Sequence, residues 1–128
     1  MEEEQQRIAA AIRRLREGVR WRPGRDAQHL AKRLALGHLP RATTMADYTA
    51  LILHVVHTPT ATVFAYRWGT TLYPTVVAEV EGVLWLVMLG PDGLMETAFP
   101  PEEPERYLAH PRFQRLGTLE ELGWQIDC

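Results

Sequence analysis

HTPTATVFAYRW, His57 to Trp68, is the stretch at which the chain changes its period. Before it, apolar residues recur three and four apart; after it, they alternate. Thr58 and Pro59 close the helical side, because a residue preceding proline is pushed out of the α region and proline cannot continue a helix. From Thr60 to Trp68 β-branched and aromatic residues predominate, with Thr62, Phe64, Tyr66 and Trp68 alternating against Val63, Ala65 and Arg67. That pattern predicts a strand.

Downstream the same reading repeats. Leu72 to Val80 is a second strand, in which Pro74 argues for an edge position or a bulge. Glu81 and Gly82 form a short turn into Val83 to Leu89, an unbroken apolar run suited to a central strand. Gly90-Pro91-Asp92-Gly93 is a turn, and Leu94 to Phe99 the last strand expected. The tail holds a short helix around Glu102 to Ala109, then a loop and a final helical turn near Leu119.

Upstream lie helices. Ile8, Ala11, Ile12 and Leu15 recur at helical spacing between Glu3 and Glu17, and Gly18 stops the run. After the turn Trp21-Arg22-Pro23-Gly24, Asp26 is the expected N-cap of a second helix reaching about Leu36, with Gly37 at its end. Thr44, three residues before Asp47, opens a third helix with a capping box, and Tyr48, Leu51, Ile52 and Val55 share one face. The expectation is a single α+β domain spanning 1–128, with N-terminal helices packed on a four-stranded antiparallel meander sheet. Residues 1–24 form an N-terminal helix and turn, 25–103 the core, and 104–128 a C-terminal extension.

Composition narrows the chemistry. With 128 residues, 46% hydrophobic and 23% charged, the chain can bury a core without covalent staples. It contains no serine and no asparagine, which removes serine hydrolases and N-glycosylation. Its single cysteine, Cys128, is the last residue, which excludes an internal disulfide, a CxxC pair and a four-thiolate zinc site. MEEEQQ has no apolar run behind it, and Thr75 to Leu89, broken by Glu79 and Glu81, is too short for a bilayer. A cytoplasmic protein with no membrane partner is expected; oligomeric state is not legible.

Residues 1–41 carry ten Lys or Arg against five Asp or Glu, whereas residues 42–128 carry four against eleven. Between Arg13 and Arg33 eight of twenty-one residues are basic, enough to draw phosphates locally; a solvated helix face is the plainer explanation of the same cluster. On the second helix Ala27, Leu30, Ala31 and Leu34 read as the apolar stripe, with Arg25, His29, Lys32 and Arg33 on the other side. Three fixed cations around His29 should lower its pKa and keep it neutral, able to accept a proton.

HLAKR (His29–Arg33), then Gly37, Asp47-Tyr48, HTPTATV (His57–Val63) and VLWLVMLGPDGLMETAFPP (Val83–Pro101) resemble, in that order, the barnase/EndoU/colicin/RelE-like ribonuclease superfamily. The likeness is greatest to its phage-associated branch and to small bacterial toxin domains, and it spans about Asp26 to Glu103. Each piece is short; their order and spacing carry the resemblance. It implies that His29, Lys32 and Arg33 face the substrate, that Thr97 supplies a catalytic hydroxyl, and that Arg25, Arg67 and Tyr73 bind substrate. Leu34 stands where many related domains have a second histidine, a part that His38 or His57 could take if the fold brings it near.

The implied reaction uses no metal and no cofactor. Neutral His29 takes the ribose 2′-hydroxyl proton, the oxygen attacks phosphorus, and the cations stabilise the added charge. RNA is the implied partner, together with a cognate antitoxin or immunity protein. Other readings stand beside it. Thr97 shares strand parity with Met95 and Phe99 and reads equally as a buried, hydrogen-bonded core threonine. Tyr66, Trp68 and Trp85 suit base stacking or plain core packing. His54 and His57, with His38 or His110, make a sparse zinc set. A non-catalytic nucleic-acid- or protein-binding module of the same fold is the alternative function, and an α+β domain with no RNA role the third.

Overall fold

Pro59 is the boundary between helical and extended chain. Helix α3 (Met45–His57) ends at Thr58, and β1 (Thr62–Trp68) begins three residues after the proline. The computed structural model describes residues 2–123, so Cys128 lies outside the described residues. Helices α1 (Glu2–Glu17) and α2 (Arg25–Ala35) precede α3. The capping box is formed, with Thr44 Oγ1 accepting from Asp47 N at 3.2 Å and Asp47 Oδ2 accepting from Thr44 N at 3.0 Å.

β1, β2 (Thr71–Val80), β3 (Val83–Leu89) and β4 (Met95–Phe99) form the antiparallel meander. A fifth strand, β5 (Phe113–Thr118), completes the order β4-β3-β2-β1-β5. This segment was expected as loop. FQRLGT shows no clean alternation, and a register shift between Val63 and Phe64 divides its pairing with β1, so period-2 reading has nothing to follow. Between the two edges runs α4 (Pro104–Leu108). Pro74 sits in an interior strand, yet β3 pairs with β2 only from Thr75 onward, so at Pro74 the strand has one neighbour and the lost donor is tolerated. The β2–β3 connection is a two-residue turn with φ 51 at Glu81 and 82 at Gly82, the left-handed pair that matches strand twist.

The sheet buries both faces. On one, Ile8, Ile12 and Leu15 of α1 and Tyr48, Ile52, Val55 and Val56 of α3 meet Val63, Val76, Val87 and Leu89. Each large apolar side chain so buried contributes about 1.5–3 kcal/mol. On the other, Phe64, Val77 and Leu86 pack with Phe99, Leu108 and Phe113, which places α4 over that second face.

A bulge in β4 decides where the chemistry lies. Met88 pairs with Thr97 but Leu89 pairs with Met95, so Glu96 is an extra residue. Met95 therefore joins the first core, while Thr97 falls opposite Met88 and Phe99 opposite Leu86, on the second face. The parity that grouped Thr97 with Met95 does not survive this insertion. Beyond β4, Met95 N donates to Arg20 O at 2.8 Å and Trp21 forms a parallel bridge to Met95, so residues 20–21 line the edge and deliver α2 to it.

Candidate active site

Gly24, with φ 79, is the residue before α2, and Asp26 sits inside the first turn, its Oδ1 accepting from Ala27 N at 2.8 Å. The expected cap is thus displaced: the left-handed turn after Pro23 starts the helix. The buried side of α2 also differs from the expected stripe. Ala27 and Ala31 are exposed, whereas Arg33 is 4% exposed and His29, Leu30 and Leu34 are half-buried. Leu30 packs on the first core while His29 and Arg33 reach round to β4's second face, so the helix straddles the sheet edge.

There His29 Nδ1 stands 3.5 Å from Thr97 Oγ1, at the outer limit of a hydrogen bond. The imidazole stacks at 5.1 Å on Trp21, which stacks at 5.9 Å on Tyr48, and Tyr48 donates its hydroxyl proton to Ala98 O at 2.6 Å. A fully buried tyrosine, its phenol pushed up to about 12 by burial, thereby fixes the ring against which His29 rests. Burial first, then Arg25, Arg33 and Lys32, lower the pKa of His29 below the ordinary imidazole value. A neutral imidazole keeps one ring nitrogen as a donor and leaves the other as a proton acceptor.

Arg33 places its guanidinium 5.5 Å over the ring of Phe99. Its Nε is buried without a hydrogen-bond partner among the described residues, and no carboxylate forms an ion pair with it. Cation–π attraction returns about 0.5–2 kcal/mol, whereas desolvating a cation costs several kcal/mol. The group is under-satisfied, and an anion is what would satisfy it.

His38 belongs beside Arg33, and the end of α2 explains why. Gly37 takes φ 74; its N donates to Leu34 O at 3.1 Å, and His38 N donates to Arg33 O at 2.9 Å. This Schellman closure folds the chain back so that His38 returns to the turn carrying Arg33. Burial and Arg33 lower the pKa of His38, Glu102 opposes them, and its Nδ1 is buried without a hydrogen-bond partner among the described residues. A Cβ at Gly37 meets nothing within 4 Å, so Gly37→Ala acts through backbone strain alone. We expect about 1 kcal/mol of destabilisation, read as a fall in thermal midpoint of about 3–5 °C, with Gly37→Asn milder because asparagine tolerates this conformation.

The other residues expected at the site divide. Lys32 and Arg25 are exposed on α2 and supply field to His29. Arg67 is a correction: it lies on β1, three strands from β4, paired with Glu4 at 3.0 and 3.2 Å and with Gln114 at 2.7 Å, where it anchors α1 to the sheet. Tyr73 pairs across strands with Tyr66, 6.3 Å between rings, two strands from β4. Neither can share a phosphate with His29. Among the described residues no three His, Cys, Asp or Glu side chains group as a metal site; His57 Nδ1 bonds Leu53 O at 2.8 Å and His110 Nδ1 accepts from Arg112 N at 3.1 Å. Trp85 is core, Trp68 is exposed under the Arg112 guanidinium at 4.3 Å, and Tyr66 packs on Phe113. Trp21 and Phe99 are the site's unanticipated members; of the two histidines offered for the second position, His38 lies beside Arg33, carried there by the Gly37 C-cap.

α2 and β4 thus bring the His29 imidazole to the Thr97 hydroxyl, and beside His29 stands the buried Arg33 guanidinium, without an ion pair among the described residues, with His38 on its other side. In chemical class the group is a buried cation beside a lowered-pKa imidazole and a hydroxyl. No protein-family model, no curated protein and no solved structure matches the chain.

Proposed function

We propose that this protein is an endoribonuclease that cleaves RNA by 2′-hydroxyl transesterification without a metal. The observation carrying the reading is Arg33, a buried guanidinium with no anionic partner among the described residues, with His29 one turn before it on α2 and His38 just past the helix end. A phosphodiester satisfies the guanidinium; the histidine held neutral takes the 2′-hydroxyl proton; the oxygen attacks phosphorus; and the leaving 5′-oxygen takes a proton from the other histidine. His29, oriented by Thr97 and Trp21, is the base. His38, just past the end of the same helix and the other imidazole within reach of the Arg33 charge, is assigned as the acid. The nucleophile belongs to the RNA, so a chain without serine meets no obstacle.

The test is incubation with a mixed transcript in EDTA. We expect fragments ending in 2′,3′-cyclic phosphate and 5′-hydroxyl. The pH profile is constrained by sign. The base must be neutral, so kcat/KM rises with pH through its pKa; the acid must be protonated, so kcat/KM falls as pH rises through the other. Both imidazoles are lowered from the usual 6.5, so the optimum falls on the acid side of that value, and His38→Ala removes the alkaline limb. RNA bound with steep salt dependence but left intact would instead identify a binding module.

A further inference from the structure

Where β2 outruns β3, the sheet leaves a gap. Thr71, Leu72, Tyr73 and Pro74 pair with β1 alone, while β3 ends at Leu89 and the chain turns away through Gly90 and Pro91. The first two turns of α1 close the opening, fastened to β1 by the ion pair of Glu4 with Arg67. The result is a cavity of about 380 Å³ that shares no lining residue with the site at α2 and β4. We infer that it is a second binding site, for a small monocarboxylate with an apolar body; this holds independently of the ribonuclease reading. The floor is apolar: Ile8 and Pro74 are buried, Leu72 packs on the first core, and Pro91 lies opposite. Neither proline brings a backbone N–H into the cavity.

Charge decides what enters. Two guanidinium groups, Arg7 and Arg67, and one carboxylate, Glu4, line the cavity, so one positive charge is left over. Arg67 is fully engaged: it donates to both oxygens of Glu4, at 3.0 and 3.2 Å, and to Gln114 Oε1 at 2.7 Å. Arg7 is not. Its charge reaches the cavity wall, since Glu4 is held below the usual carboxylate range by Arg67 first and also by Arg7, yet its side chain has no ion pair or hydrogen bond among the described residues. A free guanidinium offers a planar fork of donors that matches a carboxylate. One uncompensated charge suits a monoanion, whereas a phosphate dianion adds a second negative charge that Glu4 repels. An amine finds no acceptor, because both oxygens of Glu4 are taken. The apolar floor adds the second requirement: a head group alone would leave it wet, and an apolar body that covers it supplies the rest of the affinity.

The test is calorimetric titration of the full-length protein with phenylacetate, beside acetate, which has the charge without the ring, and phenethylamine, which sets a cation on the same ring. We expect phenylacetate to bind with a Kd of about 1 mM or below, and the other two at least about tenfold more weakly. Arg7→Gln should weaken phenylacetate at least about tenfold. Arg13→Gln, the same loss of charge at an exposed position of α1 outside the cavity, should leave it unchanged. Arg7 is exposed, so Arg7→Gln keeps the fold, which circular dichroism verifies. No saturable binding up to about 10 mM phenylacetate overturns the site, as does equal binding of the three probes. So does binding that survives Arg7→Gln, or that is lost in Arg33→Met instead. RNA cleavage uses neither Arg7 nor Glu4, so each of these outcomes leaves the ribonuclease reading where it stands.

Discussion

His29→Ala is expected to lower kcat/KM on RNA by about 10²- to 10⁴-fold, the contribution of a positioned general base, while the protein still folds. The loss should sit mainly in kcat, because phosphate contacts from Arg33 remain. The fold should survive because His29 is half-buried at a sheet edge and its packing contact is one face of Trp21, which Tyr48 continues to support from beneath. Circular dichroism and thermal unfolding measured beside the kinetics separate the two effects. The pH dependence of stability adds a second readout. The folded pKa of His29 lies below the unfolded one, so on acidification below 6.5 the unfolded chain takes up the proton first and stability falls until the folded value is passed. His29→Ala should flatten part of that decline, the remainder belonging to His38. Identical products at wild-type rate from His29→Ala would remove the imidazole from the mechanism.

What the sequence revealed and what it withheld follow from range. Local periodicity located three helices and the meander, because Ile8, Ile12, Leu15, Tyr48, Ile52 and Val55 each obey the spacing of the element that buries them. The depressed pKa of His29 was legible for a similar reason: Arg25, Lys32 and Arg33 are its neighbours along one helix, although burial proves the larger cause. Three features depend on partners distant in the chain. β5 exists by pairing with β1, and its own residues carry little pattern. The bulge at Glu96 is defined by what β3 presents opposite, and it changes the face on which Thr97 lies. Arg67 looked like a phosphate ligand in a strand, yet Glu4, far away in sequence, neutralises it. Arg33 inverted the expectation most plainly, since an arginine on a helix read as solvated face is among the buried residues.

That inversion yields the second large effect. Arg33→Met should stabilise the protein by about 1–3 kcal/mol and reduce cleavage by at least about 10²-fold. The opposed signs have one origin. Methionine keeps an unbranched apolar stem against Phe99 and removes a cation that is 4% exposed and has no ion pair among the described residues, so the desolvation cost disappears and little packing is lost. The same substitution removes the charge that a phosphodiester would meet. Two further measurements follow. Because Arg33 lowers the pKa of both His29 and His38, their imidazole resonances should titrate at higher pH in the variant. Inorganic phosphate should stabilise the wild type by about 2.7 kcal/mol at a hundred times its Kd, read as a rise in thermal midpoint, and leave the midpoint of Arg33→Met unmoved. A structural arginine behaves oppositely: its replacement lowers stability with or without phosphate. Loss of stability in Arg33→Met together with an unchanged phosphate response would therefore show that the guanidinium serves the fold, and the anion site on which the ribonuclease reading depends would be gone.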